Sequence, residues 1–88
     1  MNTFRLRISS PDGDVFDREV VMLSLRGADG DLAVLARHAS FITSVVAGEC
    51  KIELDDETEK IGVTDGGLLT VSQELVTLLA GSFVWKEE

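Results

Sequence analysis

Cys50-Lys51-Ile52-Glu53-Leu54-Asp55-Asp56-Glu57-Thr58-Glu59-Lys60-Ile61-Gly62-Val63 decides the fold class. Cys50, Ile52 and Leu54 alternate with Lys51 and Glu53, and a period of two marks a strand with one face in a core and the other in water. Asp55 to Thr58 supplies turn-forming side chains for a hairpin tip. Ile61 and Val63 then return on the same parity, as the apolar face of a second strand.

Working outward, Thr3 to Ser9 alternates strictly, with Phe4, Leu6 and Ile8 on one side and Thr3, Arg5, Arg7 and Ser9 on the other. Ser10-Pro11-Asp12-Gly13-Asp14 reads as a turn. Val15 to Leu25 reads as one long extended segment, bent near Asp17-Arg18-Glu19. Arg26 to Asp31 is a loop, and Leu32–Leu35 and Phe41–Val46 are strands joined by the irregular 36–40. Asp65-Gly66-Gly67 is a further turn, Leu68 to Ser72 a strand, and Gln73-Glu74 a short turn. Leu75–Ala80 and Phe83–Trp85 close the chain. No stretch has a convincing helical period. The expectation is an all-β domain over residues 1–88, a two-sheet β-sandwich of about 8–10 short strands with no C-terminal helical domain.

Composition narrows the function. Sixteen acids against eight bases give 88 residues a formal charge of −8. Such a surface repels a phosphate backbone, so no nucleic-acid partner is expected. It is equally unsuited to anionic headgroups. Apolar runs such as Val20 to Leu23 are far short of a bilayer span, and the first residues lack a signal-like apolar core. No direct membrane insertion is expected. The single cysteine, Cys50, has no internal partner for a disulfide.

Several segments are apolar on both parities: Val20 to Leu25, Leu68 to Val71 and Leu75 to Ala80. A two-layer sandwich buries only one face of each sheet. Either the chain itself covers the outer faces, or an apolar patch is left for a partner. With no helix to act as a cover, docking is the favoured reading.

Chemistry is largely missing. The glycines match neither a dinucleotide-binding nor a phosphate-binding loop, and there is no G-x-S-x-G elbow. Asp12/Asp14, Asp29/Asp31 and the acids from Glu53 to Glu59 lack the offsets of a calcium loop. His38, the only histidine, cannot complete an ordinary zinc shell. No catalytic, cofactor-binding or metal site is expected. A free-standing interaction module or a biotinyl- or lipoyl-like carrier is the alternative. Lys51 and Lys60 flank an acidic tip without the neighbours a carrier lysine needs.

Gly30-Asp31-Leu32-Ala33-Val34-Leu35-Ala36-Arg37-His38-Ala39-Ser40-Phe41-Ile42-Thr43 resembles the G-[ED]-[FL]-G-[VI]-L-P-G-H-A-P-L-[IL]-T segment of the epsilon subunit of F-type ATP synthases (called delta in mitochondria). Phe4 to Gly13 matches that family's first strand and turn. Val63-Thr64-Asp65-Gly66-Gly67-Leu68-Leu69-Thr70-Val71 looks like its V-x-G-G-F-L-x-V signature, and Val76 to Ala80 like its V-T-V-L-A strand. The resemblance runs along essentially the whole chain. Ala33, Ala36, Arg37 and Ser40 depart from it, standing where the family has Gly, Pro, Gly and Pro. Family members commonly continue into two antiparallel helices that can restrain ATP hydrolysis, and the sequence given, ending at Glu88, does not contain them.

The resemblance implies a non-catalytic subunit of a proton-translocating synthase, peripheral at the cytoplasmic face of the bacterial inner membrane. It would join the gamma subunit to the polar loops of the c-ring and reach the alpha/beta catalytic head only indirectly. By the same resemblance the c-ring contact is expected at Asp29, Gly30 and Asp31. Contact with gamma is expected at His38 and Thr43, and at Met22 and Leu79 if those two side chains point outward.

Overall fold

The computed structural model describes residues 2–37 and 39–86, in eight strands. These are β1 (Phe4–Ser10), β2 (Gly13–Val20), β3 (Met22–Gly27), β4 (Gly30–Leu35), β5 (Phe41–Glu53), β6 (Glu59–Val71), β7 (Val76–Ala80) and β8 (Phe83–Trp85). They form one continuous sheet in the order β2-β1-β7-β6-β5-β3-β4, with β8 added beside β6. All neighbours are antiparallel except β1 and β7.

Among the described residues there is no helix, so only the sheet can cover its own apolar face. It does so by folding over on β5 and β6. The first half of β5 and the second half of β6 lie with β7, β1 and β2; the other halves lie with β3, β4 and β8. The two layers enclose one core that includes Leu6, Ile8, Leu69 and Leu78 from the first and Leu23, Val34, Cys50 and Ile52 from the second, all buried.

The fold-over leaves a mark on the side-chain pattern. Val45 is buried in the first half of β5, but Cys50 and Ile52 are buried in the second, so the inward parity changes between them. In β6 the inward residues are Gly62 and Thr64 before the bend and Leu69 and Val71 after it. The two strands stay in register with each other throughout, from Phe41↔Val71 to Glu53↔Glu59. Both therefore switch faces at one level, around Ala47–Gly48 and Asp65–Gly66. Positive φ at Gly66 (115°) allows the change of direction. Thr64, the one buried polar side chain among the described residues, locks the bend. Its hydroxyl donates to the Ser82 carbonyl at 3.0 Å and accepts from the Gly66 amide at 3.1 Å. Asp65 accepts the Ser82 amide at 2.8 Å, so the bend and the β7–β8 turn hold each other.

Three expectations need correction. Val15 to Leu25 is not one bent strand: it is divided at Val21, whose amide donates to the Glu53 carbonyl at 2.7 Å. Asp65-Gly66-Gly67 does not reverse the chain. It lies within the thirteen-residue β6, as Ala47–Gly48 lies within β5, so four expected short strands are two long ones. Finally, Ile61 and Val63 are not the inward parity of their strand. Gly62 and Thr64 face in, and the ring of Phe83 lies directly over Gly62 in the space a side chain would occupy.

An aromatic group closes the open side. Trp85 on β8 meets Phe83 edge-on at 5.1 Å and Phe16 of β2 at 5.6 Å, and the Lys60 ammonium stands 4.0 Å from the Trp85 ring. Stem packing and cation–π attraction thus replace a backbone ladder between the layers at this edge. On the outside of β1, Arg5 and Arg7 both pair with Asp17 across β2. Hydrogen bonding from Arg5 holds the Asp17 carboxyl below the ordinary carboxylate range. Its contribution is therefore present above that range and is lost as pH falls below it, and exposure keeps it small.

Cys50 is a core residue. Burial alone pushes its thiol up to about 11, and a protonated, enclosed thiol is a poor nucleophile. In the folded protein at pH 8, a disulfide reagent such as DTNB is expected to release no thiolate on the timescale in which denatured chain releases one equivalent. Rapid reaction of the native protein would show that this part of the core opens.

Candidate docking surfaces

Two exposed features stand out once the inward parities are known. The first is on the outer face of the layer built from β5, β6 and β7. Leu68 on β6 is opposite Leu79 on β7 and Ser44 on β5, while Ile42 and Val46 flank Ser44 along β5. These four apolar side chains are 40% (Leu68), 51% (Leu79), 66% (Ile42) and 39% (Val46) exposed. Cross-strand and diagonal spacing on one face makes them a contiguous strip. Thr70 and Thr77 lie in the same face. Water-facing leucine and isoleucine grouped in this way mark a surface that a partner can cover.

The second is the tip of the β3–β4 hairpin. Gly27 and Gly30 close it, and Ala28 and Asp29 form the two-residue turn. Gly30 has φ +127°, a conformation that L side chains rarely adopt. Asp29, Gly30 and Asp31 are all exposed. The Ala28 amide donates to the Ser44 carbonyl at 3.0 Å, which anchors the tip against β5. Arg26 Nε donates to Asp31 Oδ1 at 3.1 Å, in a pair open enough to water to exchange for another partner at small cost.

The residues singled out from sequence are therefore distributed as follows. Asp29, Gly30 and Asp31 sit together at the tip. Leu79 points outward in the apolar strip. Met22 also faces outward, but on the other layer, half-buried between Leu35 of β4 and Glu53 of β5. Thr43 is half-buried on the parity of Val45, and its hydroxyl donates to the Ser44 carbonyl at 3.4 Å. His38 lies outside the described residues. Sequence reading missed Ile42 and Val46 as outward positions; the available signal was that Phe41–Val46 is apolar on both parities. It also missed the outward pair Val63 and Val84, which face each other across β6 and β8.

The acids are accounted for by side-chain partners more than by a common centre. Asp14 accepts the Ser9 hydroxyl, Glu59 pairs with Lys51 at 3.3 Å, and Glu49 with Lys86 at 2.6 Å. Asp55 accepts the Glu57 and Thr58 amides at 2.8 Å, which holds its carboxyl below the ordinary range. Among the described residues no three His, Cys, Asp or Glu side chains are grouped to hold a metal ion. No helix there is long and apolar enough to cross a membrane.

The described residues thus form a small all-β sandwich with an apolar strip on one outer face and an acidic hairpin tip. The chain belongs to the family described as ATP synthase, Delta/Epsilon chain, beta-sandwich domain, whose model matches residues 3–86. It is 36% identical over 86 residues to the ATP synthase epsilon chain, sodium ion specific, of Acetobacterium woodii, covering 98% of this chain and 65% of that one. With the ATP synthase epsilon chain of Bacillus subtilis it shares 35% over 80 residues, covering 91% and 60%. It thus spans somewhat under two thirds of the length of these relatives. The fold superposes with a TM-score of 0.89 on a chain of the Euglena gracilis mitochondrial ATP synthase structure comprising OSCP, F1 and the c-ring, at 20% identity, over 97% of this chain and 54% of that one. A chain of the Tetrahymena thermophila central stalk and c-ring gives 0.77 at 9% identity, over 91% and 64%.

Proposed function

We propose that this chain is the epsilon subunit of an F-type ATP synthase rotor, a non-catalytic link between the gamma subunit and the c-ring at the cytoplasmic face of the bacterial inner membrane. Ion flow through the ring turns the assembly, and the link carries that rotation toward the alpha/beta head where ATP is made. The observation that carries this reading is the outward strip of Ile42, Val46, Leu68 and Leu79 on a domain already complete inside. Membership of the ATP synthase delta/epsilon chain family supports a partner within that enzyme. In this reading gamma covers the strip, and the exposed Asp29–Asp31 tip meets basic positions in the ring's polar loops by charge complementarity.

The coupling ion in this reading is the proton. A 36% identical relative carries the description sodium ion specific. The role proposed here is compatible with either ion, because the chain touches the ring's loops and not its ion sites. Met22 and Leu79 occupy the outer faces of different layers, so one flat partner surface cannot cover both; the reading assigns gamma to Leu79.

Capture of this protein by purified gamma subunit tests the reading directly. Leu79→Asp, a surface change that leaves the core untouched, is expected to weaken that capture at least tenfold, the scale of placing a charge in a desolvated apolar contact. Full capture by a folded Leu79→Asp variant would remove the strip from the interface. Asp31→Lys is expected to keep gamma binding while lowering proton-driven ATP synthesis in reconstituted vesicles. Undiminished synthesis would remove the tip from the ring contact.

A further inference from the structure

The outward positions in the first half of β5 are Ile42, Ser44 and Val46. Ser44 is exposed, and its cross-strand neighbour is Leu68 of β6, itself opposite Leu79. A hydroxyl therefore stands inside the apolar strip, with isoleucine and valine about 7 Å away along the strand and leucine across from it. None of these side chains can hydrogen-bond it. Among the described residues the Ser44 hydroxyl has no hydrogen-bond partner. Outside the ladder, the bonds at this residue go to its carbonyl, from the Ala28 amide at 3.0 Å and the Thr43 hydroxyl at 3.4 Å.

The other hydroxyls of this face are placed differently. Thr70 and Thr77 face each other one row along, between Ile42 on β5 and Arg7 on β1, where the strip gives way to charge. Ser9, level with Leu79, donates its hydroxyl to Asp14. Ser44 is the one set among apolar neighbours.

In water this costs nothing, because solvent serves the hydroxyl. Covering the strip removes that solvent, and a hydroxyl buried without a partner lowers affinity in the middle of the contact. We propose that the surface covering the strip carries a neutral hydrogen-bonding group, an amide, a hydroxyl or a backbone N–H or C=O, directly opposite Ser44, and that this bond fixes how the partner lies on the sheet. The inference rests on the reading that gamma covers the strip, and it adds what gamma presents there. The group is neutral because Ile42, Val46 and Leu68 offer no counter-charge to a buried ion. The apolar side chains supply attraction that tolerates a small slide of the partner; a single hydrogen bond does not tolerate it, so Ser44 supplies the register. The β6 ladder and the Ala28 amide hold its backbone from both sides, which makes the hydroxyl a fixed reference point. The same residue thus anchors the acidic tip with its carbonyl and meets the partner with its side chain.

Isothermal titration calorimetry of the full chain with purified gamma subunit tests this. Ser44→Ala is expected to weaken binding about tenfold, since it leaves gamma's polar group buried without a partner. Ser44→Val, which also fills the space of the bond, is expected to weaken it further. Both changes fall at an exposed strand position and are expected to leave the far-UV spectrum and the urea midpoint unchanged. Equal or tighter binding by Ser44→Ala, the result if gamma is apolar at that point, overturns the proposal. So does a Ser44→Val variant that binds more tightly than the parent. Leu79→Asp distinguishes this failure from that of the docking reading. If Leu79→Asp loses binding while Ser44→Ala keeps it, gamma covers the strip without the hydrogen bond. If neither variant loses affinity, gamma binds elsewhere and both readings fall.

Discussion

Gly67→Ala is expected to destabilise the protein by about 3 kcal/mol or more, one of the largest effects of any single-methyl addition to this chain. A Cβ at Gly67 falls directly on the carbonyl oxygen of Leu79 and 3.0 Å from the Ala80 Cα. Those are backbone atoms of the neighbouring strand, and they cannot rotate aside as a side chain would. Gly67 pairs with Ala80 just beyond the bend in β6, where β7 crosses close over it. Relief requires prising β7 from β6 at the point where the Gly81 amide also donates to the Gly66 carbonyl. Urea denaturation monitored by far-UV circular dichroism measures the loss, and a change below about 0.5 kcal/mol, the scale of an ordinary surface substitution, would show that the strands do not approach as described.

Leu78→Ala is expected to cost about 2–5 kcal/mol, through lost burial and the cavity left behind. Leu78 is fully buried and lies between Ile8 of β1 and Leu69 of β6. The adjacent Leu79→Ala removes the same atoms from the opposite face, half of them already in water, and is expected to change stability by under about 1 kcal/mol. For a domain of this size, with total stability of roughly 4–13 kcal/mol, the first substitution threatens folding and the second does not. Equal losses at the two positions would mean that the outer strip is covered within the monomer, and the docking reading would fail with it.

That contrast also marks where sequence reading stopped. Alternation in Thr3–Ser9 and Cys50–Leu54 identified strands because polar side chains recorded which parity met water. In Leu68–Val71 and Leu75–Ala80 leucines occupy both parities, and nothing local distinguishes Leu69 and Leu78, which are buried, from Leu68 and Leu79, which are not. The inward parity before the bend was hidden for a different reason. Gly62 offers no hydrophobic signal, and the ring that fills its place comes from Phe83, far along the chain. Glycine and aspartate at residues 65–67 carry the composition of a reversal, yet Thr64 and Ser82 hold the chain in a kinked strand that continues. The turn at Ala28–Asp29 was legible from its composition, but Arg26, Gly27, Gly30 and Asp31, expected in the same loop, belong to β3 and β4. The tip's use was legible only through the family pattern around it.

The two thirteen-residue strands have a mechanical consequence. In most sandwiches the layers touch only through side chains, so a sideways load lets one slide over the other by small steps. Here β5 and β6 run covalently through both. A load applied at the β3–β4 hairpin passes into β5, and along its unbroken backbone to the opposite layer where Leu68 and Leu79 sit. Shear between the layers would have to stretch main chain, which makes the domain a stiff coupling block and not a pair of plates held together by grease.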